Sequence, residues 1–218
     1  MALPGIAPYD PPVESDLPAA RGPWRPQQDR LALLVHDMQR YFCKPYPKGA
    51  PLAPVVANIA SLIHAARACG VPVFYTAQKG DQFRPDRGLQ ADLWGPGMSA
   101  TPEHEEILPE LTPAPGDMVL VKHRYSAFQR SNLETLIQAR GRDQLMICGI
   151  YAHIGCLATA VEAFQRDIQA FAIADAQADF SREKHDMAMG WIAATCGVPL
   201  STRQALLTLT RPEMKSCA

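Results

Sequence analysis

The feature that most constrains the fold is a series of six short apolar runs separated by amphipathic stretches. The runs occupy residues 31–36, 71–75, 118–121, 145–148, 170–174 and 198–201. Such runs are typical of strands that are buried on both faces, as in a parallel sheet. Between the first two runs, Val55, Ile59, Leu62 and Ala66 share one helical face, and Gly70 follows as a helix stop. This segment predicts a β-α-β unit.

The same alternation continues to the end of the chain. Ser131 and Glu134 have the spacing of a capping box, which predicts a helix before the fourth run. Further helices are predicted at about 156–166 and 182–196, the second with Ser181 as its N-cap. We therefore predict an α/β fold: a three-layer, doubly wound sheet of about six mostly parallel strands with helices on both faces. Residues 82–116 have weak periodicity and predict an irregular excursion beside the sheet edge.

The length of 218 residues suits one compact domain. We expect a Pro-rich N-terminal arm at 1–28, a single globular domain at 29–210 and a C-terminal tail at 211–218. No secretory signal is visible at the start, and the apolar runs are too short to cross a membrane. The expectation is a soluble, cytoplasmic protein.

Charge and cysteine usage narrow the function classes. The net charge is −1 and the charged residues are scattered, so a nucleic-acid partner is not expected. The six histidines lack the spacing of metal ligands, and we expect no metal site. The cysteines are widely spaced and mostly lie in apolar segments, as expected of buried, reduced thiols. They are Cys43, Cys69, Cys148, Cys156, Cys196 and Cys217.

Polar residues follow the predicted strands, and in a parallel sheet they converge on one edge, where ligands bind. These residues are His36, Asp37, Gln39, Gln78, Lys122, Tyr125, Tyr151 and Asp175. Together they predict a polar site for a small anion. Asp37 could instead cap a turn, and Lys122 could be a surface residue. For Asp175 and His153 we favour structural roles, in a turn and as a hydrogen-bonded imidazole.

No G-x-S-x-G elbow, P-loop or strand-following G-x-G-x-x-G is present, so the commonest esterase and nucleotide-binding classes are not indicated. Five blocks, however, resemble the isochorismatase family. They are LVHDMQRYF at 34–42, WGPG at 94–97, KHRYSAF at 122–128, GIYAHIGC at 149–156 and ADAQADFS at 174–181. The resemblance extends from about residue 31 to residue 206. Within the family, the chain resembles in particular the members that belong to siderophore and phenazine pathways.

The wider superfamily includes amidases that use an Asp, a Lys and a nucleophilic Cys. Asp37 and Lys122 match the first two, but six residues after Gly149, where those enzymes carry the Cys, this chain has Gly155. Cys156 is one residue late, and at a helix start that shift turns a side chain by about 100°. We therefore interpret Cys156 as a packing residue.

The resemblance implies a cofactor-free hydrolase that cleaves the enolpyruvyl ether of isochorismate, giving pyruvate and 2,3-dihydro-2,3-dihydroxybenzoate. Asp37 is the expected acid. Burial would raise its pKa, whereas a nearby Lys122 ammonium would favour the ionised form unless the substrate carboxylates offset that charge, as we expect. Lys122 and Arg87 are expected to bind the substrate carboxylates, and Gly155 to leave room and offer its amide. The residues expected to position the ring and ether or to wall the pocket are Gln78, Tyr125, Tyr151, Phe42 and Trp94.

Three alternatives stay open. The substrate could be 2-amino-2-deoxyisochorismate, as in the phenazine-pathway relatives. Cys156 could serve a thiol-dependent amidohydrolase, or the chain could be a non-catalytic docking subunit. We also expect a homodimer, in which the arm could cover a neighbouring surface. We expect no carrier-protein domain in the chain, so any aryl carrier protein would be a separate partner.

Overall fold

The computed structural model describes residues 3–210. Six strands form one sheet in the order β3-β2-β1-β4-β5-β6, and all five neighbouring pairs are parallel. The strands are β1 (Leu31–His36), β2 (Val73–Ala77), β3 (Met118–Val121), β4 (Gln144–Ile150), β5 (Gln169–Ala178) and β6 (Gly197–Leu200). The predicted α/β class and the six parallel strands are confirmed.

Helices cover both faces of this sheet. The longer ones are α1 (Leu52–Ala68), α2 (Leu133–Gln138), α3 (Leu157–Gln165), α4 (Arg182–Thr195) and α5 (Thr202–Leu209). One apolar cluster joins α1 and α5 to one face, and a second joins α2, α3 and α4 to the other. All six residues of β1 are buried, as expected for a central strand between two helical layers. The domain therefore has the three layers that the sequence predicts.

The strand order places a ligand site at the centre of the sheet. From β1 the chain adds β2 and β3 on one side, and it then crosses to add β4, β5 and β6 on the other. β1 and β4 are therefore the neighbours at which the crossovers diverge, and the loops after them open a crevice at the carboxyl edge. Asp37 follows β1, and residues 151–155 follow β4.

Three local predictions need correction. β5 runs to Ala178, so Asp175 lies inside a strand rather than after one. The capping box at Ser131 is wrong, because α2 has Asn132 as its N-cap and the Ser131 hydroxyl donates to Ala127 O at 2.5 Å. The excursion 82–116 is not wholly irregular. It contains the helical turns Arg84–Arg87, Gln90–Trp94, Pro102–Glu105 and Pro109–Leu111.

Ser181 caps α4 as predicted, accepting a hydrogen bond from Lys184 N. α3 is preceded by a π-helical turn, Ala152–Cys156. The two remaining short turns are Glu14–Asp16 and Arg40–Cys43.

The N-terminal arm packs along its own chain from residue 3 onward. Ile6 is buried and donates from its amide to Pro45 O at 3.2 Å, and Arg21 N donates to Ala193 O at 2.9 Å. Farther along the arm, Glu14 and Asp16 form ion pairs with Arg203 and Arg182. The described part of the arm thus covers the domain of its own protomer.

Of the five cysteines among residues 3–210, none forms a disulfide, and four are buried while Cys69 is partly exposed. Cys217 and the tail 211–218 lie outside the described residues. Within 3–210, no helix has the length and hydropathy needed to span a membrane.

Candidate active site

Asp37 is held at the carboxyl end of β1 by a reciprocal pair of hydrogen bonds. Its amide donates to Thr76 Oγ1 at 3.1 Å, and the Thr76 hydroxyl donates to Asp37 Oδ1 at 2.6 Å. The parallel register pairs His36 with Thr76, so Thr76 lies beside the residue that directly precedes Asp37. Asp37 has a φ of 51°, a left-handed conformation that Asp tolerates better than most residues. The loop geometry therefore fixes which way this carboxylate points.

Lys122 is the ion-pair partner of Asp37. Its Nζ lies 2.7 Å from Asp37 Oδ2, and their side chains are 3% and 7% exposed. Nζ also donates to Arg124 O at 2.8 Å and to Tyr125 O at 3.3 Å. An ammonium has three donors, so these contacts use all of them. A substrate carboxylate can bind Lys122 directly only by replacing one of these bonds.

Asp37 is ionised in this site. Burial raises the pKa of its carboxyl, but the charge and hydrogen bond of Lys122 outweigh burial and hold that pKa below its usual 3.8. In the ligand-free site the Lys122 ammonium thus favours the ionised form of Asp37, as its charge predicts. A proton on Asp37 must therefore come with a change in its surroundings.

The nine predicted site residues all line one pocket of about 550 Å³, including its open mouth. Six further residues, which the sequence analysis missed, complete the wall: Leu3, Tyr41, Gln90, Ile150, Ile154 and Phe180. Phe180 lies in the block 174–181 that carried the resemblance, so a signal for it existed. No periodicity or motif pointed to Leu3, which comes from the arm.

Arg87 brings a second cation to this pocket. Its residue is 6% exposed, and its Nε donates to Gly95 O at 2.6 Å. A Cβ on Gly97, which has a φ of +89°, would lie 2.7 Å from Arg87 Nη1, so the glycine gives the guanidinium its space. Within the described chain, no carboxylate lies within 4.0 Å of this guanidinium. Arg87 is thus a buried cation with room for an anionic ligand.

The hydroxyls of Tyr125 and Tyr151 differ in the hydrogen bonds that they can still make to a ligand. Trp94 Nε1 donates to the Tyr125 hydroxyl at 2.8 Å, which leaves the Tyr125 O–H available to a ligand. The Tyr151 hydroxyl donates to Phe42 O at 2.7 Å and can only accept from a ligand while that bond lasts. Gln78 Nε2 approaches Asp37 Oδ2 at 3.4 Å, a long contact. Near Asp37 the pocket therefore offers the Tyr125 O–H and the Gln78 amide as donors and the Tyr151 hydroxyl as an acceptor.

Gly155 and Cys156 differ sharply in what they face. Gly155 lines the pocket, and a Cβ there would lie 2.1 Å from Cε1 of the buried His36 ring. Cys156 is fully buried in the apolar cluster beneath α2, α3 and α4, and burial raises the pKa of its thiol well above 9.0. The thiol of Cys156 is not part of the pocket wall.

His153 and Asp175 have structural contacts. Asp179 accepts from His153 N at 2.6 Å and lies 2.5 Å from its Nδ1. Asp175 Oδ1 accepts from the amide and hydroxyl of Thr202 at 2.6 and 2.7 Å, which anchors the first turn of α5. The interpretation of His153 as a hydrogen-bonded imidazole agrees with this geometry. The Asp175 carboxylate does orient a backbone amide, although from within a strand.

Among residues 3–210, no group of three or more His, Cys, Asp or Glu side chains is arranged to hold a metal ion.

Comparison with known proteins identifies close relatives. The family model for the isochorismatase domain matches residues 31–204. The chain is 49% identical over 207 residues to an isochorismatase of Bacillus subtilis (strain 168), covering 94% of this chain and 66% of that protein. It is 48% identical over 205 residues to the phenazine biosynthesis protein PhzD of Pseudomonas fluorescens, covering 94% and 99%.

A solved structure supports the fold. A cysteine hydrolase from Pseudomonas syringae pv. phaseolicola 1448A matches with a TM-score of 0.78 and 27% identity, covering 88% of this chain and 97% of that one.

Proposed function

The chain belongs to the isochorismatase family, and we propose that it hydrolyses the enolpyruvyl ether of isochorismate with Asp37 as the acid. The products are pyruvate and 2,3-dihydro-2,3-dihydroxybenzoate. The observation that carries this proposal is the buried Asp37–Lys122 pair, which shares a pocket with the buried Arg87. A dicarboxylate with an acid-labile ether suits that combination.

The two substrate carboxylates have different places to bind. Arg87 offers a planar fork of donors with no carboxylate partner in the described chain, so we assign one carboxylate to it. The second is assigned to the main chain at Gly155, ahead of the positive end of α3. Lys122 has no free donor and acts on the substrate chiefly through Asp37.

The charge balance of the filled pocket favours the protonated form of Asp37. Lys122 and Arg87 are cations, whereas Asp37 and two substrate carboxylates are anions, so the filled pocket carries one excess negative charge. Taking up a proton on Asp37 removes that excess. Because the pocket is buried and the substrate displaces water, this repulsion raises the pKa of Asp37 on binding.

The reaction then needs no nucleophilic side chain. Asp37 donates its proton to the terminal CH₂ carbon of the vinyl ether, and the electron pair of the double bond forms the new C–H bond. The ether oxygen shares the positive charge left on the central carbon as an oxocarbenium ion. Water adds to that carbon and returns a proton to Asp37. The hemiketal collapses to pyruvate and the ring alcohol.

Aromatic side chains complete the pocket. Phe180 lies 4.3 Å from Tyr151 and 6.3 Å from Trp94, measured between ring centroids. With Phe42 they form an apolar wall that limits water around the oxocarbenium ion. The free O–H of Tyr125 is assigned to the ring substituents, and Gln78 to the ether side near Asp37.

A second substrate shares this chemistry. The relative from Pseudomonas fluorescens is named a phenazine biosynthesis protein, and 2-amino-2-deoxyisochorismate replaces a ring hydroxyl by an amine. The same enolpyruvyl ether reacts in both. We propose isochorismate as the substrate, with the amino compound as the alternative.

Five other expectations stand apart from this proposal. The geometry opposes an amidohydrolase that uses Cys156, since this thiol is buried outside the pocket. A homodimer, a cytoplasmic location and a separate aryl carrier protein stay predictions. A non-catalytic docking role is not favoured by any feature of residues 3–210.

Product analysis tests the proposal. Purified protein is given isochorismate or 2-amino-2-deoxyisochorismate in H₂¹⁸O, and pyruvate is measured through lactate dehydrogenase. We expect pyruvate, with no ¹⁸O in the ring alcohol, because water attacks the enolpyruvyl carbon. Label in the ring alcohol would contradict the mechanism, and no pyruvate from either compound would refute the function.

A further inference from the structure

His36 is a buried imidazole that lies between the last residue of β4 and the loop that follows β3. The residue has 0% exposure; its Nδ1 lies 3.0 Å from Ile150 O and its Nε2 3.3 Å from Tyr125 O. Burial lowers the pKa of His36 to about 4, so the ring is neutral at neutral pH. A neutral imidazole has one N–H, and the shorter contact favours donation from Nδ1 to Ile150 O.

The His36 ring occupies the volume that a side chain at residue 155 would need. A Cβ on Gly155 would lie 2.1 Å from Cε1 and 2.9 Å from each ring nitrogen. Distances below 3.0 Å are essentially never seen for a real Cβ. The ring cannot swing aside without giving up its hydrogen bond to Ile150 O and its contact with Tyr125 O. A His at 36 and a side chain at 155 are therefore mutually exclusive in this backbone.

The same ring is coupled to the acid. Tyr125 O, which lies against His36 Nε2, accepts a hydrogen bond from Lys122 Nζ. Nδ1 of His36 lies 3.8 Å from Asp37 Oδ2, the oxygen that pairs with Lys122. A displaced ring would disturb the carbonyl that orients Lys122 and the space beside Asp37.

We propose that His36 is a positioning residue that sets the reaction class of this site: its ring keeps residue 155 without a side chain and packs against the loop that orients Lys122. No side chain, nucleophilic ones included, can then stand at residue 155 beside Asp37 and Lys122. The site is confined to acid catalysis with water as the nucleophile. This inference rests on the proposed function for its link to enol ethers, whereas the exclusion itself rests on geometry alone.

Paired substitutions test it. Gly155→Ala, His36→Ala and the double variant are compared by Tm and by kcat and KM for isochorismate. Gly155→Ala alone should lower kcat/KM at least about 100-fold and lower Tm, or fail to fold. In the His36→Ala background the same change should cost less than about threefold in kcat/KM and little in Tm, because the clash is gone.

Two further variants separate positioning from general packing. Gly190→Ala is the matched control, since a Cβ on Gly190 meets nothing within 4 Å; it should leave activity unchanged and should not lower Tm, because Ala favours the helix more than Gly does. His36→Asn keeps a donor near the Nδ1 position. It should recover at least about tenfold of the kcat lost in His36→Ala, with KM little changed, whereas a packing role would move Tm alone.

The results decide the proposal in either direction. Equal losses of Tm from Gly155→Ala with and without the His36 ring would overturn it, as would wild-type activity in Gly155→Ala. The Tm comparison needs no substrate. If the wild type releases no pyruvate, the proposed function fails while the exclusion between His36 and Gly155 is still decided.

Discussion

Lys122 Nζ lies 2.7 Å from Asp37 Oδ2 in a site where both side chains are almost fully buried. The pair makes Asp37 a carboxylate before substrate arrives, although the proposed chemistry needs it as an acid. In the proposed function, the negative charge of the bound substrate raises the pKa of Asp37 and so converts the carboxylate into the acid. The consequences can be measured on the free protein and during turnover.

Removing the Lys122 ammonium should reverse the pH dependence that Asp37 gives to the unfolding free energy. In the wild type the pKa of Asp37 is lowered below 3.8, so the pair stabilises the fold above about pH 4, and this stabilisation is lost as pH falls through the folded-state pKa. In Lys122→Met the buried carboxyl has a raised pKa, so stability is instead lost as pH rises. We expect the variant to lose about 3–5 kcal/mol of unfolding free energy at pH 7.

Urea denaturation between pH 3 and 7 measures this difference, which should shrink toward low pH. Lys79→Met is the control, because Lys79 is 63% exposed and lies 3.9 Å from Glu105. An exposed pair contributes at most about 1 kcal/mol. A Lys122→Met penalty that is independent of pH would contradict the ion-pair account.

Arg87→Lys should weaken substrate binding more than it slows chemistry. A lysine has no fork of donors for a carboxylate, and a lost charge-assisted hydrogen bond costs about 1.5–3 kcal/mol, or about 10–150-fold in KM. We expect kcat to change less than about threefold. Arg84→Lys is the matched control, since Arg84 is exposed and pairs with Asp92. Equal KM values for the two variants would remove Arg87 from the substrate site.

Tyr9→Phe should destabilise the pocket wall, although Tyr9 does not line the pocket itself. The Tyr9 hydroxyl accepts from Asp179 N at 2.6 Å, next to Phe180 in the pocket wall. Without it a partly buried amide loses its partner, which costs about 1–3 kcal/mol of stability. We expect a lower Tm and a KM raised several-fold. Arg203→Ala, which cuts an exposed arm contact to Glu14, should leave KM unchanged; equal effects of both would refute a specific role for Tyr9.

Cys156→Ala should keep more than about half of the wild-type kcat, because its thiol is buried away from the pocket and burial raises its pKa. Among the cysteines of residues 3–210, iodoacetamide should label the partly exposed Cys69 first, without loss of turnover. Cys69→Ala controls for that labelling. Inactivation that Cys156→Ala prevents would restore the thiol mechanism.

The sequence predicted the sheet well because buried parallel strands leave a strong apolar signal. It also predicted that Asp37, Lys122 and Gly155 meet, since strand ends share one edge. Side-chain geometry left no such signal. The sequence names burial and Lys122 as opposing effects on the pKa of Asp37, but only the short distance between the two side chains decides the balance.

Other misses have equally physical causes. Leu3 and Tyr9 belong to an arm without periodicity, whose contacts are set by the surface that it covers. Asp175 was placed after a strand because its neighbours are small and polar, yet the pairing of β5 with β4 continues past a register shift. The exclusion between His36 and Gly155 depends on two residues 119 positions apart that only the fold brings together.

The most direct test of the account is the kcat of Asp37→Asn with saturating isochorismate, alongside circular dichroism to verify folding. Asn keeps the size of the side chain but cannot donate a proton as an acid. General acid catalysis contributes about 10²–10⁴-fold, and no nucleophile in the pocket compensates. We predict a folded variant with at least about a 10³-fold lower kcat. Retention of more than a tenth of the wild-type kcat would show that Asp37 is not the acid.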